Sequence, residues 1–302
     1  MKIAMTGATG FLGSKLVEHM AQKGHQVVGL TRDPTSAQRQ HGNRCEWIPW
    51  PSPQSPIPDG TFDNIDAVIH LAGESVNGRW TKAKRKRILD SRQEGTRRVV
   101  EAIKTATNPP SHLLSSSAIG YYGDRADTPL TEESGRGDIF LSDVCVCWEE
   151  EAQRAQSESV KVSLLRTGLV LDPNGGALGE MMPLFRKGLG GKLGSGRQMW
   201  SWIHREDWIR AIDFILESEA DGPINVVGPS PVSQKEFAKT LASVLKRPSF
   251  LPAPSFALKA VLGGFASEVL TSKKVIPKKL TDAGFVFNHP ILREALEELL
   301  RY

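Results

Sequence analysis

Residues 1–13, Met-Lys-Ile-Ala-Met-Thr-Gly-Ala-Thr-Gly-Phe-Leu-Gly, restrict the fold more than any other stretch of this chain. Lys2 to Thr6 is a short, mostly apolar run that reads as a buried strand. Gly7, Gly10 and Gly13 follow at a spacing of three. An amphipathic run with Phe11, Leu12, Leu16, Val17 and Met20 comes next and stops at Gly24. Strand, glycine turn and helix in that order turn the helix's first N–H groups, and the positive end of its dipole, toward an anion. Gly7 allows the tight turn, Gly10 lets a pyrophosphate approach the backbone, and Gly13 lets the helix lie on the sheet. The plain alternative is a β–α turn that happens to hold three glycines. The flanking strand and helix favour dinucleotide binding over it.

Composition closes several other classes. The 302 residues are 39% hydrophobic and 24% charged, with a formal net charge of +4. That length buries a large core in one domain or two, and the charge is too mild to imply nucleic acid by itself. No run approaches the ~18 apolar residues of a membrane span. The chain enters a strand at once, so no signal peptide is expected. The expected location is cytoplasmic, or an organellar stroma if a transit peptide has been removed. Cys45, Cys145 and Cys147 lack metal-ligand spacing and read as reduced thiols, and no metal site is expected.

Gln26 to Thr31 is the second strand, and its end selects the cofactor. An acidic residue there accepts from a ribose 2′-hydroxyl, whereas an arginine accommodates a 2′-phosphate. The residues are Thr31-Arg32, which reads as NADP(H) through a guanidinium able to pair with phosphate bidentately. Asp33 is the rival, since a small register shift would put it on the ribose. Residues 34–63 read as a loop, a third strand near 45–50 and a turn-rich connector. A fourth strand over 65–71 ends in Leu71-Ala72-Gly73-Glu74, small enough for adenine or ribose to lie against the backbone.

A long helix over 80–105 carries Lys82, Lys84, Arg85, Lys86, Arg87, Arg92, Arg97 and Arg98. Such a run is ordinarily a solvated helix face, and without interleaved aromatics it does not indicate nucleic acid. A fifth strand, 112–117, delivers Ser115, Ser116 and Ser117 to the same edge as the glycine loop. Hydroxyls there either bond a substrate oxygen or cap the backbone locally. A helix over 138–157 and a strand over 160–166 complete an alternation that specifies a Rossmann-type α/β fold, a doubly wound parallel sheet.

TGATGFLG at 6–13, HLAG at 70–73, SSSAIGYYG at 115–123, LLRTGLVL at 164–171 and WIHREDW at 202–208 occur in that order. With these motifs the chain resembles an extended short-chain dehydrogenase/reductase of the NAD(P)-dependent epimerase/dehydratase superfamily. VIPKKL at 275–280, Gly284-Phe285 and Phe287-x-x-Pro290 are similar to the C-terminal extension of a subgroup of "epimerase family" proteins, some called cell-division-inhibitor-like. The resemblance implies cofactor contacts at Gly7, Thr9, Gly10, Phe11, Leu12, Gly13, Thr31, Arg32, Leu71, Ala72, Gly73 and Val170. It adds Arg87 or Arg92 from the basic helix, and a catalytic Ser117.

One departure counts against ordinary chemistry. The superfamily uses a Tyr-x-x-x-Lys pair on the helix after the serine strand, the lysine lowering the tyrosine pKa for proton exchange. The chain has only Tyr121, Tyr122 and Tyr302, and the helix over 138–157 contains no lysine. The expected places fall near Leu141 and Cys145. Tyr122, in the turn beside Ser117, is the candidate replacement. Glu74, His204 and Asp207 are the other acids to consider, His204 because histidine titrates near neutrality.

Residues 1–170 are expected to form the NADP-binding Rossmann domain. Residues 171–302 are expected to form a smaller, interleaved substrate lobe with a C-terminal extension, and the helix and strand near 202–228 can return to the Rossmann domain. Lys273, Lys274, Lys278 and Lys279 read as a second solvated basic cluster. The expected function is NADP(H)-dependent oxidoreductase or epimerase-like chemistry on an unidentified small molecule. The competing reading, favoured by the missing pair, is a non-catalytic NADP(H)-binding regulator with a protein partner, linked to cell division.

Overall fold

The computed structural model describes residues 1–218 and 220–301. The central sheet has seven strands: β1 (Lys2–Thr6), β2 (Gln26–Thr31), β3 (Glu46–Pro49), β4 (Ala67–His70), β5 (His112–Ala118), β6 (Lys161–Thr167) and β7 (Gly222–Val226). They lie in the order β7-β6-β5-β4-β1-β2-β3, and each neighbouring pair is parallel. The strand order reverses at β1, so the topological switch point, where α/β sheets bind ligands, falls at its carboxyl end.

The helices are α1 (Phe11–Gln22), α2 (Pro34–His41), α3 (Lys82–Thr105), α4 (Phe140–Gln153), α5 (Gly176–Arg186), α6 (Arg205–Ser218) and α7 (Gln234–Val244). The C-terminal stretch adds α8 (Ser255–Leu262), α9 (Phe265–Leu270), α10 (Lys278–Asp282) and α11 (Leu292–Leu299). Alternation along β1 sorts the main helices to two faces. Ile3 and Met5 pack with Leu16, Val17 and Met20 of α1 and with Trp208 and Ile212 of α6. Ala4 belongs to the other face, with Val99, Val100 and Ile103 of α3 and Ala152 of α4. A separate core holds Leu178, Met182 and Phe185 of α5, Trp202, Phe237 and Leu241 of α7, and Leu292 and Leu296 of α11.

Two sequence expectations are corrected. Residues 34–41 are a helix rather than a loop: Asp33 accepts the Ser36 amide at 2.9 Å as its N-cap, and Pro34 occupies the first turn, where a missing N–H costs nothing. Lys273 is not solvated but 4% exposed. Its ammonium donates to the Glu268 carboxylate at 2.7 Å and to the Thr271 hydroxyl at 2.6 Å, partners that a reading of charge runs does not register. No described helix is long and apolar enough to cross a membrane.

Backbone contact joins β1, α1 and the end of β4. Gly7 has φ +68°, and a Cβ there would lie 2.8 Å from the Leu71 carbonyl carbon. A Cβ on Gly13 would lie 2.1 Å from the Gly7 carbonyl oxygen. Gly13→Ala is therefore expected to destabilise the fold by about 1–3 kcal/mol, the usual range for over-filling a packed site. Urea unfolding reads this as a lower midpoint, and an unchanged midpoint would contradict the close approach.

Candidate functional site

The carboxyl edge of β2, β1, β4 and β5 gathers most of the residues singled out above. Gly10 starts α1 without a side-chain cap, so the helix's positive end is open to a ligand. Thr9, Gly10 and Phe11 are exposed around it. The Phe11 ring lies against Gly175 and Gly176, where a Cβ would come within 2.4 Å and 3.0 Å of it. The start of α5 thus lies against the loop. Val170 is close by in sequence, in the short strand Leu169–Leu171 that pairs with Trp202–His204.

At the end of β2, Thr31 is buried and Arg32 is exposed. Asp33, the rival for the ribose, is already engaged as the cap of α2. Leu71 and Ala72 are half-buried and Gly73 is exposed. The Ala72 amide donates to Thr6 Oγ1 at 3.3 Å, Thr6 Oγ1 lies 2.6 Å from His70 Nδ1, and His70 Nε2 lies 3.0 Å from Thr96 Oγ1. His70 therefore ties β1, β4 and α3 together beneath the site. Burial drives its pKa down to about 3, so the ring is neutral. Sequence reasoning missed this role, and its signal is register alone: Thr6 and His70 are direct neighbours on adjacent strands.

The basic helix serves this edge. Arg87 and Arg92 both reach the Glu74 loop, Arg87 Nε to Glu74 Oε1 at 3.4 Å and Arg92 to the Glu74 carbonyl at 3.0 Å. Lys84 bonds the same carboxylate at 2.8 Å and, with Arg87, holds it below the usual carboxylate range. Glu74 is thereby fixed as an anion rather than a proton donor. The Arg92 guanidinium stacks over the Trp148 ring at 4.8 Å and borders Gly73, whose Cβ would sit 3.4 Å from it.

Ser117 stands on a buried network. Its hydroxyl donates to Glu149 Oε1 at 2.6 Å. Arg166 clamps that carboxylate with two bonds of 2.8 Å. Because the hydroxyl hydrogen is committed to Glu149, Ser117 is left to face a ligand as an acceptor. Arg166 also donates to the Tyr122 hydroxyl at 3.0 Å, and that hydroxyl donates to Asn225 at 2.6 Å. Tyr122 is 0% exposed, and burial pushes its pKa up to about 12. Its place is in the core beneath the site, turned away from solvent, which is the opposite of what an exchanging acid needs.

The two remaining acids tie down the C-terminal stretch. Buried Asp207 accepts the amides of Asn288 and His289, each at 2.8 Å, and Arg210 at 2.9 Å. His204, Glu206 and His289 bring possible ligand atoms within 4.8 Å of one another. However, His204 Nδ1 accepts the Glu206 amide at 3.1 Å, which leaves the proton on Nε2 to bond Glu298 at 2.8 Å. Both nitrogens are engaged, and the His289 ring stacks at 3.8 Å. The cluster acts as a hydrogen-bonded clamp.

The molecule is thus a Rossmann-type α/β protein with a glycine loop at its switch point. Residues 3–228 match the NAD dependent epimerase/dehydratase family, and the chain belongs to that family. Residues 253–299 match a domain of unknown function, DUF1731. The chain is 36% identical over 302 residues to the epimerase family protein YfhF of Bacillus subtilis, spanning 99% of this chain and 98% of that one. It is 36% identical over 314 residues to the chloroplastic SDR39U1 homolog of Arabidopsis thaliana, spanning 100% and 87%. The crystal structure of the human epimerase family protein SDR39U1 (isoform 2) with NADPH is similar at a TM-score of 0.89 and 34% identity, over 99% of each chain.

His70 makes stability depend on pH with a definite sign. Its pKa is about 3 folded against the ordinary 6.5 of a histidine side chain. Above pH 6.5 both states are neutral there. Below it the unfolded chain gains a proton that the folded chain refuses, so stability falls as pH drops toward 3. Between pH ~7.5 and ~5.5 the wild type is expected to lose about 1.4 kcal/mol more than His70→Gln, measured by urea unfolding. Equal losses would show that His70 titrates normally in the fold.

Proposed function

We propose that the chain is an NADP(H)-dependent oxidoreductase or epimerase-like enzyme acting on a small molecule. In this reading residues 1–170 hold the dinucleotide and residues 171–302 close over the substrate. The pyrophosphate lies on the loop formed by Gly7, Thr9, Gly10, Phe11, Leu12 and Gly13, at the open N-terminus of α1. Adenosine lies between Thr31-Arg32 and Leu71-Ala72-Gly73, with Arg92 and Val170 along the rest of the molecule and Arg87 at its rim. The residues fit such a group. A Cβ at Gly7 or Gly13 would close the turn, and Gly73 leaves its space to the Arg92 guanidinium.

The observation that carries the choice of phosphate form is the division of labour at the end of β2: Asp33 caps α2, while Arg32 is exposed. A bound nicotinamide supplies or accepts hydride; the protein's part is to orient the substrate, exclude water and hold the proton. Ser117, backed by Glu149, offers an acceptor for a substrate hydroxyl. A second reading, a non-catalytic NADP(H)-binding regulator, is favoured by the burial of Tyr122 in place of an exposed proton donor.

Calorimetric titration tests the assignment of the 2′-phosphate to Arg32, which both readings share. NADPH is expected to bind more tightly than NADH, and Arg32→Ala is expected to weaken NADPH by about 10–100-fold, the worth of a charge-assisted phosphate contact, with NADH unaffected. Equal weakening of both nucleotides would remove the 2′-phosphate from Arg32.

A further inference from the structure

The C-terminal half concentrates the exposed apolar surface of the molecule. Among the described residues, six of the ten exposed large hydrophobic side chains are Leu184, Leu189, Phe250, Leu251, Phe256 and Val261. They come from two short segments: the end of α5 with the turn after it, and the run that follows α7 and continues through α8. Phe250 and Phe256 are 73% and 77% exposed, and α8 buries none of its eight residues. Exposed apolar side chains scattered singly are ordinary, whereas a contiguous group marks a surface that meets something.

The two segments lie side by side. A Cβ on Gly188 would come 3.1 Å from the Pro248 ring. The Ala253 amide donates to the Lys192 carbonyl at 2.9 Å, and the Gly194 amide donates to the Ala253 carbonyl at 2.8 Å. Leu189 is tied back to α5, its amide donating to the Leu184 carbonyl at 2.9 Å. At its far end α8 runs up to the start of α3: a Cβ on Gly263 would lie 3.0 Å from the Arg79 side chain, and one on Gly264 2.8 Å from the Arg85 guanidinium.

The charge here has one sign. Residues 75–89, 181–205 and 237–267 contain no aspartate or glutamate. Lys187, Lys192, Lys246, Arg247 and Lys259 are exposed among the apolar side chains, and Arg79, Lys82 and Arg85 are exposed at the α3 end. The carboxylates that border these segments are already engaged: Glu74 by Lys84 and Arg87, Asp90 by Lys86, and Glu268 by Lys273. A second copy docked face to face would set these cations against themselves. An anionic lipid surface suits both parts of the patch, because headgroup phosphates meet the cations and the acyl boundary receives the aromatic rings. We propose that this side of the C-terminal half docks on an anionic lipid bilayer. Phe250 and Phe256 enter the acyl boundary, and Lys187, Lys246 and Lys259 reach headgroup phosphates. The attachment is peripheral and needs no bound nucleotide.

Flotation of the full-length chain with phospholipid vesicles is the test. The chain is expected to float with vesicles of about 30% phosphatidylserine in phosphatidylcholine at ~0.1 M salt, and not with phosphatidylcholine alone. Phe250→Ser combined with Phe256→Ser is expected to weaken binding by about tenfold or more. Neutralising three cations, with Lys187→Gln, Lys246→Gln and Lys259→Gln, is expected to weaken it by about 100-fold, since each contributes about fivefold near an anionic surface. Both variants are expected to keep the wild-type urea midpoint, because all five side chains are exposed. Failure of the wild type to float with phosphatidylserine, equal binding to both kinds of vesicle, or either variant binding within about twofold of wild type would overturn the proposal. A dimer in sedimentation analysis that the phenylalanine variant dissolves would overturn it too, by making this face an interface between copies.

Discussion

The contact on which the rest depends is the approach of α1 to the turn that precedes it. With hydrogen alone at Gly13, the helix backbone comes close enough to the Gly7 carbonyl that a methyl group would sit 2.1 Å from it. That approach lets Leu16, Val17 and Met20 reach Ile3 and Met5, worth roughly 1.5–3 kcal/mol per fully buried large side chain. It also holds the open end of the helix over the switch point between β2 and β4. One piece of geometry thus sets both the packing of α1 and the placement of its open end, and a side chain at Gly13 would disturb both.

A second constraint lies beneath Ser117. Glu149 and Arg166 are each under a tenth exposed, and a buried ion pair of this kind contributes little net stability. It does hold an orientation. Two parallel bonds from Arg166 fix the carboxylate, and the carboxylate fixes the direction of the serine hydroxyl. Tyr122 and Asn225 extend the same network to β7 and to the Ile276 carbonyl. The C-terminal stretch is thereby hydrogen-bonded to the floor of the site. Its other ties run through Asp207 and His204.

The sheet and the glycine loop were legible because their signals are local: a strand, three glycines at fixed spacing, an amphipathic helix, then alternation. Arg32 at the strand end is legible too, whereas the engagement of Asp33 shows only with the helix it caps. Asp33-Pro34 followed by Ser36 carries the signature of a helix start, but the prolines after it carry that of a loop. Residues bound to distant partners were opaque. His70 reads as one more apolar-strand residue until Thr96 is placed beside it, and Lys273 reads as a surface lysine until α9 supplies Glu268. Tyr122 is near Ser117 along the chain, which is all that the sequence offers for its role. Its ring turns into the core because Asn225 and Arg166, 103 and 44 residues away, satisfy its hydroxyl.

If a phosphorylated dinucleotide lies along the carboxyl edge, from Arg32 across the glycine loop to Ser117, a crystal structure of the protein grown with NADPH will show it there. The pyrophosphate is expected on the backbone amides at the start of α1 and the 2′-phosphate within hydrogen-bond distance of Arg32, with Asp33 still capping α2. A nucleotide bound elsewhere, or a ribose held by Asp33 with Arg32 in solvent, would contradict it.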